Sequence, residues 1–233
     1  MTKKQLLKKL ESCCAVVASI GGKKVIPASK LAKKLGADII EVRIDDILRE
    51  RNERLLCGII RKVKNAANLP LIGTVRIFSE GGRVSLPEKK RLEIFLSIMD
   101  GLDLVDIELR AGSINEEIIE KAHEKGKLII VSYHNFRSTP PVSVLRKHAE
   151  KAVALGADIV KIAAMANKKK DAERLLGFCS SWKKSLMTAV SLGAPGKLSR
   201  TNGHVYGSCL AYGYVSHPFG PGQPSVKELR CLI

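Results

Sequence analysis

The chain has 233 residues, 45% of them hydrophobic, which is enough for one well-buried domain, and no apolar run approaches the length of about 20 residues that crosses a bilayer. Its formal charge of +17 suits either a nucleic-acid surface or the attraction of small anions into a basic cleft, and an aromatic content of only 4% disfavours binding of single strands. The basic N-terminus continues into an amphipathic segment without the apolar centre of an export signal, so we expect a cytoplasmic protein with no membrane or nucleic-acid partner.

Short β-branched runs alternate with Lys- and Glu-rich helical runs along the whole chain, a pattern typical of parallel strands joined by helices. In chain order, the eight predicted strands are 14–19, 38–44, 71–76, 104–109, 128–134, 158–163, 186–191 and 205–210. Eight such units favour a closed α/β fold, the (β/α)8 TIM barrel, as a single domain over residues 1–233. An open doubly wound sheet would be expected to carry a G-x-G-x-x-G fingerprint, which the sequence lacks.

An internal repeat relates two of these units. The sequence Leu-Gly-Ala-Asp-Ile-Ile-Glu at 35–41 recurs as Leu-Gly-Ala-Asp-Ile-Val-Lys at 155–161. The repeat places Glu41 and Lys161 at equivalent strand positions, where a charged group is costly unless it is paired. If both side chains point inward, they meet inside the barrel, near the strand ends that build active sites in this fold.

Polar residues also share faces on other strands, because side chains alternate with a period of two. The groups that share a face are Glu41, Arg43 and Asp45; Thr74 and Arg76; Asp106, Glu108 and Arg110; and Ser132 and His134. For Asp45, Asp106 and Glu108, ion pairs inside the barrel are the favoured interpretation. The six cysteines have no C-x-x-C spacing, which favours reduced thiols over a metal site.

Lys161 is the sharpest single candidate, because its strand offers it only apolar neighbours. Desolvation and neighbouring cations lower the pKa of an amine, which makes it a nucleophile toward a ketone. The alternative is a lysine whose ammonium reaches the rim of the barrel.

His134 ends the fifth predicted strand, where a general acid–base would lie, although a lone histidine can also be structural. Arg76 and Glu80 flank a turn into Gly81-Gly82, which predicts either a loop that closes over a ligand or an ordinary loop salt bridge. Loops after the seventh and eighth strands of such barrels commonly bind anions. Arg200, in the first of these loops, could hold a carboxylate through two hydrogen bonds.

In sequence, these segments resemble the type I 3-dehydroquinate dehydratases over nearly the whole chain. The resemblance is carried, in order, by Glu41-Val42-Arg43-Ile44-Asp45, Thr74-Val75-Arg76 with Glu80-Gly81-Gly82, Ser132-Tyr133-His134-Asn135-Phe136, Val160-Lys161-Ile162-Ala163, Ser199-Arg200, Tyr206-Gly207-Ser208 and Pro221-Gly222-Gln223. Each motif alone is weak evidence for the resemblance, whereas seven motifs in this order are specific to the family.

The resemblance implies a lyase of the shikimate pathway that eliminates water from 3-dehydroquinate with no cofactor and no metal. It implies that Lys161 forms a Schiff base with the substrate ketone, that His134 moves the proton, and that Glu80 orients His134. It also implies a homodimer. The substrate-binding residues it implies are Ser19, Glu41, Arg43, Arg76, Arg200 and Gln223, with Arg200 and Gln223 on the carboxylate.

This sequence departs from the family pattern at two places. Phe219 stands where the family usually has a serine four residues before the motif's glutamine. We therefore expect either that Ser216 or a backbone amide replaces that hydroxyl, or that closure of the lid over the substrate differs. Val190 and Leu192 occupy a stretch that is often methionine-rich in the family.

Two other functions are consistent with parts of the sequence. A class I aldolase would also use a barrel lysine Schiff base, but it would not account for His134, Arg200 and Gln223. A non-catalytic barrel that binds nucleic acid through its Lys-rich helices would account for the charge, and its binding would weaken steeply with added salt.

Overall fold

The computed structural model describes residues 2–233, apart from the side chain of Leu198, and contains eight parallel strands in one sheet. The strands are β1 Ala15–Ile20, β2 Ile39–Arg43, β3 Leu71–Thr74, β4 Leu104–Glu108, β5 Leu128–Asn135, β6 Ile159–Met165, β7 Leu186–Leu192 and β8 Leu210–Tyr214. Each strand from β1 to β6 pairs with the next along the chain, and β1 also pairs with β8. The predicted (β/α)8 barrel is confirmed.

Helices alternate with these strands and cover the outside of the sheet. They are α1 Lys3–Ser12, α2 Val25–Lys34, the one-turn α3 Ile44–Ile47, α4 Leu56–Ala67, α5 Glu88–Ile98, α6 Ile114–Glu124, α7 Val142–Ala154, α8 Lys169–Ser181, α9 Lys197–Asn202 and α10 Val226–Arg230. Pro87 and Pro141 precede α5 and α7, where a fixed φ angle suits the residue before the first turn. None of the helices within residues 2–233 has the length and apolar character needed to span a membrane.

The prediction for the last strand was wrong. Residues 205–210 were predicted as a strand, but Gly203–Tyr206 form a 3-10 turn that ends at Gly207 with a φ of 87°. Val205 is 71% exposed, so its β-branched side chain has no sheet to pack on. The strand begins at Leu210, opposite Ala15, and the barrel closes toward β7 through a single bridge between Met187 and Ser208.

The core has two layers. The larger layer lies between the strands and the outer helices, and the smaller one fills the barrel interior. Leu6 and Leu10 of α1 belong to the interior layer, together with Ala15 and Val17 at the start of β1. Because strands start at that end, α1 closes the bottom of the barrel and leaves the opposite end open for a site.

Candidate active site

One pocket at the carboxyl ends of the strands brings together every site residue predicted from the sequence. It is lined by Ser19, Glu41, Arg43, Arg76, Glu80, His134, Lys161, Arg200 and Gln223, with further residues from β6, β7 and β8 and from the loops after β3, β5 and β8. This position is the usual one for active sites in the fold.

Lys161 lies on β6 inside the barrel, with only 7% of its side chain exposed. Its Nζ is 2.9 Å from Asp106 Oδ2 and 3.6 Å from Glu41 Oε1. The ammonium is therefore paired within the pocket and does not reach the rim. Glu41 and Lys161 are each the third residue of their strands, so the repeat correctly predicted that they meet.

His134 lies near the end of β5, and its Nδ1 is 2.8 Å from Glu80 Oε2. The same carboxylate oxygen accepts the backbone N–H of His134 at 3.0 Å. With Glu80 ionised, Nδ1–H donates to the carboxylate, which leaves Nε2 unprotonated and able to accept a proton.

Burial shifts the pKa values of this pair in opposite directions. Burial, together with the positive charges of Arg76 and Lys161, lowers the pKa of His134 well below 6.5, so the imidazole is neutral near pH 7. Burial raises the pKa of Glu80 to about 7, although the positive charge of Arg76 acts the other way. Near pH 7 the neutral imidazole can therefore accept a proton, and Glu80 itself titrates in the same pH range.

Two adjacent glycines allow Glu80 to reach His134. Glu80 ends a 3-10 turn after β3, and Gly81 follows with a φ of 86°, a conformation that side chains rarely adopt. A Cβ on Gly82 would lie 2.1 Å from the carbonyl oxygen of Arg76. The Gly-Gly pair therefore permits a tight turn that folds the carboxylate back over the strand ends.

Arg76 does not form the salt bridge with Glu80 that was one of the two predictions for this loop. Its guanidinium donates instead to Asp106 Oδ1 at 2.9 Å, to Glu108 Oε1 at 2.7 Å and to Ser132 Oγ at 2.7 Å. Although burial opposes it, the charges of Arg76 and Lys161 hold the pKa of Asp106 well below its usual range.

The predicted ion pairs inside the barrel are confirmed. Asp45 accepts two hydrogen bonds from Arg43, at 2.9 and 2.8 Å, and Asp106 and Glu108 pair with Arg76. Glu108 also pairs with Arg91 of α5, which ties an outer helix to the pocket floor.

A series of side-chain hydrogen bonds links Gln223, Ser19 and Glu41 along one wall of the pocket. Ser19 Oγ donates to Glu41 Oε2 at 2.7 Å and accepts from Gln223 Nε2 at 3.3 Å. Gln223 belongs to the loop after β8, so these hydrogen bonds connect the loop to the two first strands.

Arg200 on α9 presents a buried cation to the pocket. Its Nε donates to the carbonyl oxygen of Ser191 at 2.9 Å, whereas its buried Nη1 has no partner among the described residues. Burial without a compensating carboxylate lowers the pKa of Arg200 to about 10. A buried guanidinium with a spare donor suits an anionic group of a ligand.

Comparison with known proteins identifies the family. A sequence profile described as type I 3-dehydroquinase matches residues 13–233. The chain belongs to the type I 3-dehydroquinase family.

Relatives agree over nearly the full length. The chain is 36% identical over 232 residues to the 3-dehydroquinate dehydratase of Methanosarcina barkeri, which covers 96% of this chain and 95% of the relative. The crystal structure of the Geobacillus kaustophilus 3-dehydroquinate dehydratase matches with a TM-score of 0.88 at 25% identity and covers 94% of this chain and 89% of that one. A type I 3-dehydroquinate dehydratase from Clostridium difficile, described as carrying covalently modified comenic acid, matches with a TM-score of 0.87 at 28% identity, over 94% of this chain and 90% of that one.

The loop after β8 shows how this member of the type I 3-dehydroquinase family accommodates Phe219. The backbone N–H of Phe219 donates to Gln223 Oε1 at 2.7 Å, and its ring lies 5.0 Å from the Arg43 guanidinium. Ser216 lines a neighbouring groove and is not among the residues that line the pocket. Of the two expected replacements for the family's serine, only a backbone amide lies at the pocket, and it is committed to Gln223.

Sequence reasoning missed Tyr212 altogether. This residue of β8 lines the pocket, and its ring centroid lies 3.9 Å from Lys161 Nζ. It was missed because the eighth strand was predicted to end at residue 210. Period-two alternation on the correct strand would have placed Tyr212 on the inner face.

Proposed function

We propose that the chain is a 3-dehydroquinate dehydratase that eliminates water through a Schiff base on Lys161. The observation that carries the proposal is the convergence, in one pocket, of a buried lysine, a neutral histidine and a buried guanidinium, one of whose donors has no partner in the part of the chain that the structure describes. The names of the relatives supply the substrate, which is a ketone that also bears a carboxylate.

In the first step, Lys161 acts as a nucleophile. Its unprotonated Nζ adds to the C3 carbonyl carbon, the carbonyl oxygen leaves as water, and one proton is taken up to give an iminium that bears a single N–H. Arg200 and Gln223 hold the carboxylate of the substrate during this step, because Arg200 Nη1 is a buried donor with no partner among the described residues. Glu41, Arg43 and Arg76 hold the ring hydroxyls and order the pocket.

In the second step, the iminium withdraws electrons from the neighbouring C2–H bond. His134 Nε2 takes a C2 proton, and the electron pair forms an enamine. The enamine electrons then expel the C1 hydroxyl while His134 returns the proton to it, so the group leaves as water. Hydrolysis of the product iminium consumes one water and releases Lys161.

Glu80 acts on this step through His134. Its carboxylate accepts Nδ1–H at 2.8 Å, which fixes the ring tautomer and stabilises the imidazolium that forms when Nε2 is protonated. The product of this elimination is a conjugated enone. The resemblance to the family assigns the reaction to the shikimate pathway.

The decisive experiment is borohydride reduction in the presence of 3-dehydroquinate, followed by peptide mass mapping. We expect a substrate-sized adduct on Lys161 and, without borohydride, growth of the near-ultraviolet absorbance of the enone. An adduct at any other lysine, or cleavage of a sugar phosphate without dehydration, contradicts the proposal and favours an aldolase.

Two variants separate the roles of the residues. Lys161→Ala should abolish both the adduct and turnover, whereas His134→Ala should still form the adduct but turn over about 100- to 10,000-fold more slowly. Lys169→Ala, which removes an exposed lysine with an 82% exposed side chain, is the matched control and should behave as the wild type. Normal turnover by His134→Ala would remove that residue from the mechanism.

A further inference from the structure

Tyr212 lies directly beneath the amine that the proposed function requires to react. Its ring centroid is 3.9 Å from Lys161 Nζ, well inside the distance of about 6 Å at which a cation is attracted by an aromatic face. The residue belongs to β8, which only β7 separates from β6 around the barrel, so the ring and the amine meet inside the barrel from two nearby strands.

The other contacts of Lys161 depend on N–H groups that the reaction removes. The ammonium has three N–H donors and contacts Asp106 Oδ2 at 2.9 Å and Glu41 Oε1 at 3.6 Å. The iminium keeps its positive charge but only one N–H, so it cannot donate to both carboxylates. An aromatic face needs no N–H donor, because it attracts the charge itself.

We propose that Tyr212 is a catalytic residue whose ring face stabilises the iminium cation formed on Lys161. This inference rests on the proposed function and adds to it a residue that compensates for the hydrogen bonds lost as the amine becomes an imine.

The ring acts as a neutral phenol, and its hydroxyl is dispensable. Burial, with Glu41 and Asp106 nearby, raises the pKa of Tyr212 well above 10, so the group carries no charge that could act in place of the ring face. The buried hydroxyl oxygen has no hydrogen-bond partner among the described residues. Tyr212→Phe therefore removes no hydrogen bond within that part of the chain and keeps the aromatic face.

The test uses a series of fluorinated phenylalanines, which lowers the electron density of the ring face stepwise while the volume of the ring stays nearly constant. In a His134→Ala background, in which turnover is slowed, residue 212 is replaced in turn by Phe, 4-fluoro-, 3,5-difluoro- and pentafluorophenylalanine, and by Leu. The amount of borohydride-trapped adduct is measured at one sub-saturating concentration of 3-dehydroquinate. We expect Phe to match Tyr, each added fluorine to lower the adduct, and Leu to lower it by about 2- to 30-fold, the range of a cation–π contact.

The possible results separate a role of the Tyr212 ring from a role of its hydroxyl and from failure of the proposed function. An adduct yield that does not follow fluorine content, or that is the same for Phe and Leu, overturns the role of the ring. A loss on Tyr212→Phe as large as that on Tyr212→Leu assigns the effect to the hydroxyl and also overturns it. Absence of an adduct in wild-type protein with intact Tyr212 contradicts the proposed function instead, so the two failures are distinguishable.

Discussion

Arg200 and Arg91 are both buried guanidinium groups, but their partners differ. Arg91 pairs with Glu88 and Glu108, whereas Arg200 forms no salt bridge with the described residues. Arg200→Met should therefore raise the free energy of unfolding by about 1 to 3 kcal/mol, because it removes an uncompensated buried charge. The same change should raise the KM for 3-dehydroquinate roughly 10- to 100-fold, as one charge-assisted hydrogen bond is lost. Urea unfolding and steady-state kinetics measure the two effects.

Arg91→Met is the matched control for this prediction. It leaves the buried Glu108 with one partner fewer, so it should lower the free energy of unfolding by about 3 to 5 kcal/mol. If Arg200→Met were equally destabilising, Arg200 would be a structural residue and not a site held ready for an anion.

Glu80 gives a pH dependence of stability with a defined sign. Its pKa is about 7 in the folded protein against 4.5 ordinarily, so between these pH values the folded state binds more protons than the unfolded state. The contribution of Glu80 to the free energy of unfolding is therefore present at low pH and falls as the pH rises from 4.5 to 7, by about 3 kcal/mol in total. Glu80→Gln cannot titrate, so the free energy of unfolding of the wild type should fall by that amount relative to that of the variant as the pH rises through this range.

Urea unfolding at several pH values checks this prediction, with Glu120→Gln as a control that changes an exposed carboxylate on α6. The control profile should run parallel to that of the wild type. A Glu80→Gln profile that also runs parallel would mean that burial does not hold the proton on Glu80.

At the scale of elements, the sequence predicted the strands and contacts that residue alternation and the internal repeat indicate. It missed the strand whose position depends on pairing with a distant part of the chain. Seven strands followed from β-branched runs, and the 35–41 and 155–161 repeat placed Glu41 opposite Lys161. The eighth strand was misplaced because Val205 and Tyr206 have strand propensity, whereas pairing with β1 selects Leu210–Tyr214. Tertiary pairing overrode local propensity there, and Tyr212 was lost with it.

The loop after β8 illustrates a second limit. Motif similarity predicted that Gln223 would reach the pocket, but it could not predict that the Phe219 ring would cover Arg43 while the Phe219 amide holds Gln223. When a serine is replaced by phenylalanine in a loop, the contacts shift from the side-chain hydroxyl to the backbone N–H and the ring. Which groups those two then contact depends on the path of the folded loop, which the sequence motif does not specify.

At the scale of elements, the role of helix α1 can be tested. This helix precedes the family match, which starts at residue 13, and we expect its role to be purely structural. Leu10 is 2% exposed and packs in the barrel interior at the end opposite the pocket. Leu10→Ala should lower the free energy of unfolding by about 2 to 5 kcal/mol without changing kcat or KM. Lys8→Ala on the exposed face of α1 is the control and should change stability by less than about 0.5 kcal/mol. A kinetic change in Leu10→Ala with unaltered stability would contradict a purely structural α1.

For the whole molecule, the charge of +17 predicts electrostatic capture of an anionic substrate. An anionic substrate is attracted to a positive protein, and the attraction acts on encounter and weakens as salt shortens the screening length to about 10 Å at 0.1 M. Exposed Lys23 and Lys24 line a groove that shares Ser19 and Phe219 with the pocket. If capture is steered, kcat/KM should fall with added salt while kcat, which starts from bound substrate, stays constant.

Position and net charge can be separated because the chain offers lysine pairs at both ends of the barrel. Lys23→Glu with Lys24→Glu changes the charge beside the pocket, and Lys4→Glu with Lys8→Glu changes it by the same amount on α1, which closes the other end. At about 0.1 M salt, where charges further away than about 10 Å are largely screened, the first pair should lower kcat/KM several-fold and the second should leave it nearly unchanged. Equal effects would assign the steering to net charge. A kcat/KM that is insensitive to salt and to both double variants would mean that substrate capture is not electrostatically steered, and that the surface lysines act only as a solvated layer over the helices.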